Sequence, residues 1–318
     1  MPNPTEFSPA IVVATCLLLG WIGISQVILF ISYLKLDPFW PEDAPRPVSW
    51  NSRGALALIL LWIAMQYIAV FAVSASMRPP GKADPFSPAE LMISSGLANL
   101  GLICLAPRFL ATASGRAVRA SDLLGPEPGW NFLRGVSNWG FLVPWIYGLY
   151  FAALRVWTPT KHPLEAMMRA DQSPTTLIIS ALSAVVLAPI AEEVLFRGAL
   201  LGWLTKLTMP ASKPSATADF SNDTIVGESF HDQKAPPPPS KPLLSFWLVN
   251  VLVSVIFSLM HWQAWPSPVP IFLLSLGLGV LYQKTGGLAA SIGLHMTFNG
   301  ISTTMLFLSL ASKAVKAP

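Results

Sequence analysis

Charge is scarce in this sequence. Asp, Glu, Lys and Arg make up 11% of its 318 residues, less than half the share of an ordinary soluble domain, while 53% of residues are hydrophobic. That balance argues against a water-soluble globule and for a chain that passes repeatedly through a bilayer. The net charge of +4 is not gathered into a basic stripe with interleaved aromatics, so nucleic acid is not an expected partner. Cysteine is limited to Cys16 and Cys104, both within apolar runs, leaving neither a disulfide framework nor a CxxC metal motif. HExxH, which would put two zinc ligands and a base on one helix, is absent. So are GxGD, as used by aspartyl intramembrane proteases, and a GxSG-like turn around Ser25.

Apolar helix is what the chain has in quantity. The expected fold is all-α: a polytopic transmembrane helix bundle of about eight spans, at 9–34, 55–76, 89–106, 135–157, 177–208, 243–262, 271–283 and 288–312. The opening MPNPTEFSPA has no Lys or Arg, and the apolar run after it is too long for a cleaved signal, so a retained first helix is expected. Residues 116–134, with Arg108, Arg116, Arg119 and Arg134 in or beside them, read as an interfacial segment on the cytoplasmic side. Residues 209–242, rich in Ser, Pro and Ala and ending in PPPPSKP, read as a disordered insertion. His231 within it and His162 in an earlier loop have no paired ligand at helical spacing. Three regions result: N-terminal helices and loops at 1–172, a core at 173–310 interrupted by that insertion, and a short tail at 311–318.

The fifth span stands apart because Glu192, Glu193 and Arg197 lie in its middle. Ionisable groups at membrane depth are penalised by a few kcal/mol or more, so three in about two turns mark a site or its supporting ion pair. Glu193 and Arg197 are four apart with the acid first, the favourable order for a same-helix pair. Glu192 points about 100° away, which leaves it the freer carboxylate. Pro189 lacks an N–H and is expected to kink the helix just before the acids.

The later helices carry two polar stripes. Asn250, Ser254, Ser258 and His261 fall at steps of four, four and three; Ser291, His295 and Asn299 at steps of four. Polar stripes in a bilayer face the bundle interior, so both are expected to point toward the carboxylates. A carboxylate with a histidine can take a proton from water, and a second histidine with an asparagine can donate to a developing oxyanion. That constellation suits amide hydrolysis within a membrane-embedded cavity. Two histidines and a glutamate, namely Glu192, His261 and His295, equally suit a divalent metal such as zinc with an open position, so the residues alone leave a cofactor open.

EEVLFR from Glu192 to Arg197, FSLMH from Phe257 to His261 and HMTFN from His295 to Asn299 resemble the EExxxR, FxxxH and HxxxN motifs of one family. It is the CAAX prenyl protease and bacteriocin-processing family of intramembrane endopeptidases, the Abi-like or type II CAAX proteases. The resemblance covers roughly residues 173–310. It implies that Glu192 and His261 activate water, that Glu193 and Arg197 support them, that His295 and Asn299 form the oxyanion hole, and that Phe257 packs beside the site. The implied partners are the lipid bilayer and a membrane-anchored peptide or protein substrate, with a multi-pass location in the cell membrane. The family's chemistry is described both as glutamate-dependent and as metal-dependent, and its reach includes non-proteolytic members. A bacteriocin immunity factor or a proton-coupled transporter is therefore the rival reading.

Overall fold

The computed structural model describes residues 9–33, 48–77, 86–160, 163–206 and 245–314. The 209–242 insertion, with His231, and also His162 lie outside these residues. The described chain is helical throughout, without a strand. Helix α1 is Pro9–Tyr33, α2 Ser52–Met77 and α3 Pro88–Ser114. A short α4, Ala120–Leu124, precedes α5, Pro128–Val156, and α6, Pro163–Ala170. The charged helix α7 runs Pro174–Thr205. Then come α8, Phe246–Leu259, α9, Pro268–Thr285, and α10, Ala289–Ala314.

Each of the eight expected spans is a helix, but apolar length separates them. Among the described residues, four stretches are long and apolar enough to cross a membrane: Ser52–Met77, Pro88–Thr112, Ala120–Val156 and Pro174–Thr205. Shorter apolar helices cover Thr15–Ile28 and Phe246–Leu259. Large apolar side chains such as Leu17, Phe71 and Trp145 are exposed on the outer surface. Such a surface is stable against lipid and costly against water.

Two boundaries differ from the sequence expectation. The interfacial segment holds a short helix at Ala120–Leu124, and α5 begins within it at Pro128 rather than near residue 135. Its first turns hide their polarity locally: Arg134 Nη1 donates to Asn131 Oδ1 at 2.9 Å, and Asn138 Nδ2 to the Arg134 carbonyl at 2.7 Å. Helix α3 runs past Pro107 and ends at Gly115, which has a left-handed φ of 65°, where glycine escapes the Cβ clash.

Helix α7 lies at the centre, packed by α2, α3, α8, α9 and α10. One apolar cluster joins it to α2, α3 and α8 through Leu58, Leu102, Leu110, Leu195, Leu201, Val253 and Phe257. A second ties α5, α9 and α10 through Trp139, Ile146, Leu274, Leu278 and Leu294. Helices α5 and α10 approach closely because glycines face backbone at the crossing. A Cβ on Gly135 would collide with the Ala290 carbonyl, and one on Gly293 with the Phe132 carbonyl. Close backbone approach at small residues is the usual device for joining helices in lipid, where apolar burial gives little drive. Helix α1 leans on α5 through Gln26 Nε2, which donates to the Gly140 carbonyl at 2.8 Å.

Candidate active site

The site begins with the backbone of α7. Residues Ser183–Leu187 and Val194–Leu201 form π-helical stretches flanking an α-helical Ala188–Glu193. At the first junction the Ala188 N–H reaches back five residues to the Ser183 carbonyl. The expected disturbance at Pro189 thus takes the form of a widened register just ahead of it, inside one continuous helix. A π-stretch rotates the residues that follow and is found mostly at functional positions. Here it sets Glu192 and Glu193 toward α10 and carries Arg197 toward α9.

Glu193 and Arg197 are sequestered. Glu193 is 0% exposed and Arg197 1%. Arg197 Nη1 donates to Glu193 Oε1 at 2.9 Å. Its other terminal nitrogen donates to Ser275 Oγ at 2.6 Å and to the Ser275 carbonyl at 3.2 Å, both on α9. The guanidinium also stacks over the Phe257 ring, 4.5 Å from its centroid. An arginine this deep is tolerated because its charge is paired and both terminal nitrogens are bonded, although its Nε–H is buried without an acceptor.

His295 completes the row. Its Nδ1 lies 2.9 Å from Glu193 Oε1, and a carboxylate only accepts, so Nδ1 carries the proton. The other ring nitrogen, Nε2, lies 3.6 Å from Glu192 Oε2. Glu192 differs from its neighbour in access, since its side chain is 30% exposed while that of Glu193 is 0% exposed. The order Ser275, Arg197, Glu193, His295, Glu192 therefore runs from a sealed interior to a carboxylate that a reactant can reach. A fixed imidazole beside a reachable carboxylate can bind water, accept its proton and stabilise charge.

The other two motif residues lie off this row. His261 is held by its own helix: Nδ1 donates to the Phe257 carbonyl at 3.0 Å, leaving Nε2 as an acceptor when the ring is neutral. The Phe257 ring neighbours both histidines, its centroid 5.1 Å from His261 and 5.8 Å from His295. Asn299 Nδ2 donates to the Ala184 carbonyl at 2.9 Å, inside the first π-stretch. That carbonyl is freed by the shifted register, and one amide hydrogen of Asn299 remains uncommitted.

The polar stripes part company. Ser291, His295 and Asn299 run along α10 against α7, as expected. On α8 only the first member reaches another helix, Asn250 Nδ2 donating to the Leu276 carbonyl of α9 at 3.1 Å, while Ser258 Oγ donates to its own helix at Val255 and Ser254 Oγ is buried without a partner. For a metal centre, Glu192, His261 and His295 would have to converge. Among the described residues, no three His, Cys, Asp or Glu side chains come together closely enough to hold an ion. Ser275 is the site residue that sequence reading missed. A lone serine in the apolar LLSLG run carries no motif, and only its distance from Arg197 reveals it.

Residues 174–301 match the family described as type II CAAX prenyl endopeptidase Rce1-like. The match spans α7, α8 and α9, with the first half of α10, and so includes all seven motif residues; α1 to α6 lie outside it. Neither a curated protein nor a solved structure matches the chain. The family match and the four long apolar helices together describe a membrane protein carrying an Rce1-like segment.

Proposed function

We propose that the protein is an intramembrane endopeptidase that hydrolyses peptide bonds in membrane-anchored, CAAX-like proteins or peptides. It would act as a multi-pass protein of the cell membrane, with about eight helices in or against the bilayer and residues 173–310 as its catalytic core. The observation that carries this reading is the row in which buried Arg197 and Glu193 fix His295 beside the partly exposed Glu192.

In this mechanism Glu192 takes a proton from water held between it and His295, and the resulting hydroxide adds to the peptide carbonyl. The 3.6 Å separation favours His295 over His261 as the partner of Glu192, since a single bridging water fits polar groups that stand slightly beyond direct contact. The uncommitted N–H of Asn299 donates to the oxyanion, and His295 Nε2–H adds a second donor when the ring is protonated. Collapse breaks the C–N bond, and Glu192 returns the proton to the leaving amine. No acyl-enzyme forms, because the row has no cysteine and its one serine, Ser275, is sealed at the interior end against Arg197. His261, beside Phe257, is the second ring available to substrate or water. Glu193, Arg197 and Ser275 keep His295 in place.

The test is mass spectrometry of newly formed protein termini in cell membranes containing wild type or Glu192→Gln at equal abundance. New termini present only with wild type establish the protease and reveal its substrates. Identical termini from two folded proteins would overturn the proposal and leave the immunity or transport reading.

A further inference from the structure

Away from the catalytic row, a cavity of about 540 Å³ opens at the end of the bundle where α2 begins and α3 and α9 finish. Its wall includes Trp50, Arg116, Arg119, Asp122, Gly198 and Tyr282. The two arginines belong to the segment read from sequence as interfacial. Among the described residues neither guanidinium is in an ion pair, whereas Asp122 is held by local capping, its carboxylate accepting the Arg119 backbone N–H at 2.8 Å. Trp50 is 3% exposed, and its indole Nε1–H is buried without an acceptor. A buried donor left unmatched is costly. One in the wall of a cavity that two unpaired arginines also line calls for an acceptor that carries negative charge. Lys206, at the end of α7, donates to the Trp50 carbonyl and adds a further positive charge close by.

We infer that this cavity binds the phosphate of an anionic phospholipid headgroup. Arg116 and Arg119 take the phosphate oxygens and the Trp50 indole supplies a neutral donor. Span ends make up the walls, which places the cavity at headgroup depth, where basic pockets between helices capture acidic lipids. An arginine fork matches phosphate geometry better than a point charge does. Gly198, the residue after Arg197, forms part of the wall, so the occupant would rest against the helix that carries the catalytic acids.

The experiment uses the full-length protein in phosphatidylcholine nanodiscs and reads thermal unfolding with short-chain phosphatidylglycerol, short-chain phosphatidylcholine or inorganic phosphate added. Phosphatidylglycerol at about a hundredfold excess over its Kd should raise the midpoint of wild type by about 5 °C. In the Arg116→Gln/Arg119→Gln double variant that rise should fall below about 1 °C, with an unchanged midpoint in phosphatidylcholine alone. Trp50→Phe, which keeps the ring and removes the N–H, should retain only part of the rise. The same rise in both variants, or none in wild type, would overturn the site. An equal rise with inorganic phosphate at the same concentration would overturn a lipid as its occupant, and an equal rise with phosphatidylcholine would overturn the requirement for an acidic headgroup.

Discussion

Helices α8 and α10 carry nearly the same polar pattern, yet the bundle uses them differently. On α8, Asn250 reaches a carbonyl of α9 and so joins the two helices, while Ser258 bonds its own backbone. On α10, His295 binds Glu193 and approaches Glu192, while Asn299 caps a carbonyl of the π-stretch. The difference lies in the facing backbone. A regular helix such as α9 offers carbonyls that are already bonded and can accept one more donor, whereas the widened register of α7 offers a freed carbonyl and two carboxylates. Spacing tells which residues share a face; the register of the neighbour decides whether that face packs or reacts.

The sharpest way to break this contrast is activity. Glu192→Gln keeps volume and hydrogen bonding but removes the base, so peptide cleavage should fall by about 10²–10⁴-fold. His295→Ala should fall comparably. His261→Ala should lose less, about tenfold, because His295 and not His261 is the ring beside Glu192. Initial rates on a membrane-anchored reporter peptide measure all three. If His261→Ala lost as much as Glu192→Gln while His295→Ala stayed active, water activation would belong to α8 and the contrast would reverse.

Stability sharpens the same contrast. Arg197→Met leaves Glu193 buried without its partner, and breaking one side of such a pair costs about 3–5 kcal/mol. Denaturant unfolding in detergent should show a loss of that size. On the α8 side, Gly279→Ala would drive a methyl into the Asn250 amide, an overpacking worth about 1–3 kcal/mol. Cleavage by the surviving folded Gly279→Ala protein should stay near wild type, since Asn250 packs against α9 and does not touch the row.

Much of this was legible in the sequence, for definite reasons. Eight helices could be read because unbroken apolar runs have few other solutions in a bilayer, and the Glu193–Arg197 pair because spacing of four is local geometry. The early start of α5 was hidden by Asn131 and Arg134, whose polarity reads as interfacial segment until the arginine donates to the asparagine one turn back. Ser275 and the Ala184 carbonyl were hidden because tertiary contact alone gives them a role. The opposite destinations of the two stripes were hidden because hydrogen-bond register is a property of the partner helix.

The smallest expected effect lies outside the spans, in the turn that starts α7. Asp171 accepts from the Thr176 hydroxyl and from the Ser173 N–H, and these bonds, Thr176 first, hold its carboxyl below the usual aspartate range. A depressed carboxylate adds stability that is fully present above the unfolded value near pH 4 and is lost as pH falls through the folded one. The wild-type unfolding midpoint should therefore decline more steeply below about pH 4 than that of Thr176→Val, which removes the leading donor. The two curves should run parallel above that pH. Cleavage near neutral pH should be the same in both proteins, because this turn positions the start of α7 while the π-stretches set the acids. A large loss of cleavage in folded Thr176→Val would show instead that the acids depend on how α7 is anchored at its first turn, and the difference between the stripes would then have to be traced to the whole helix.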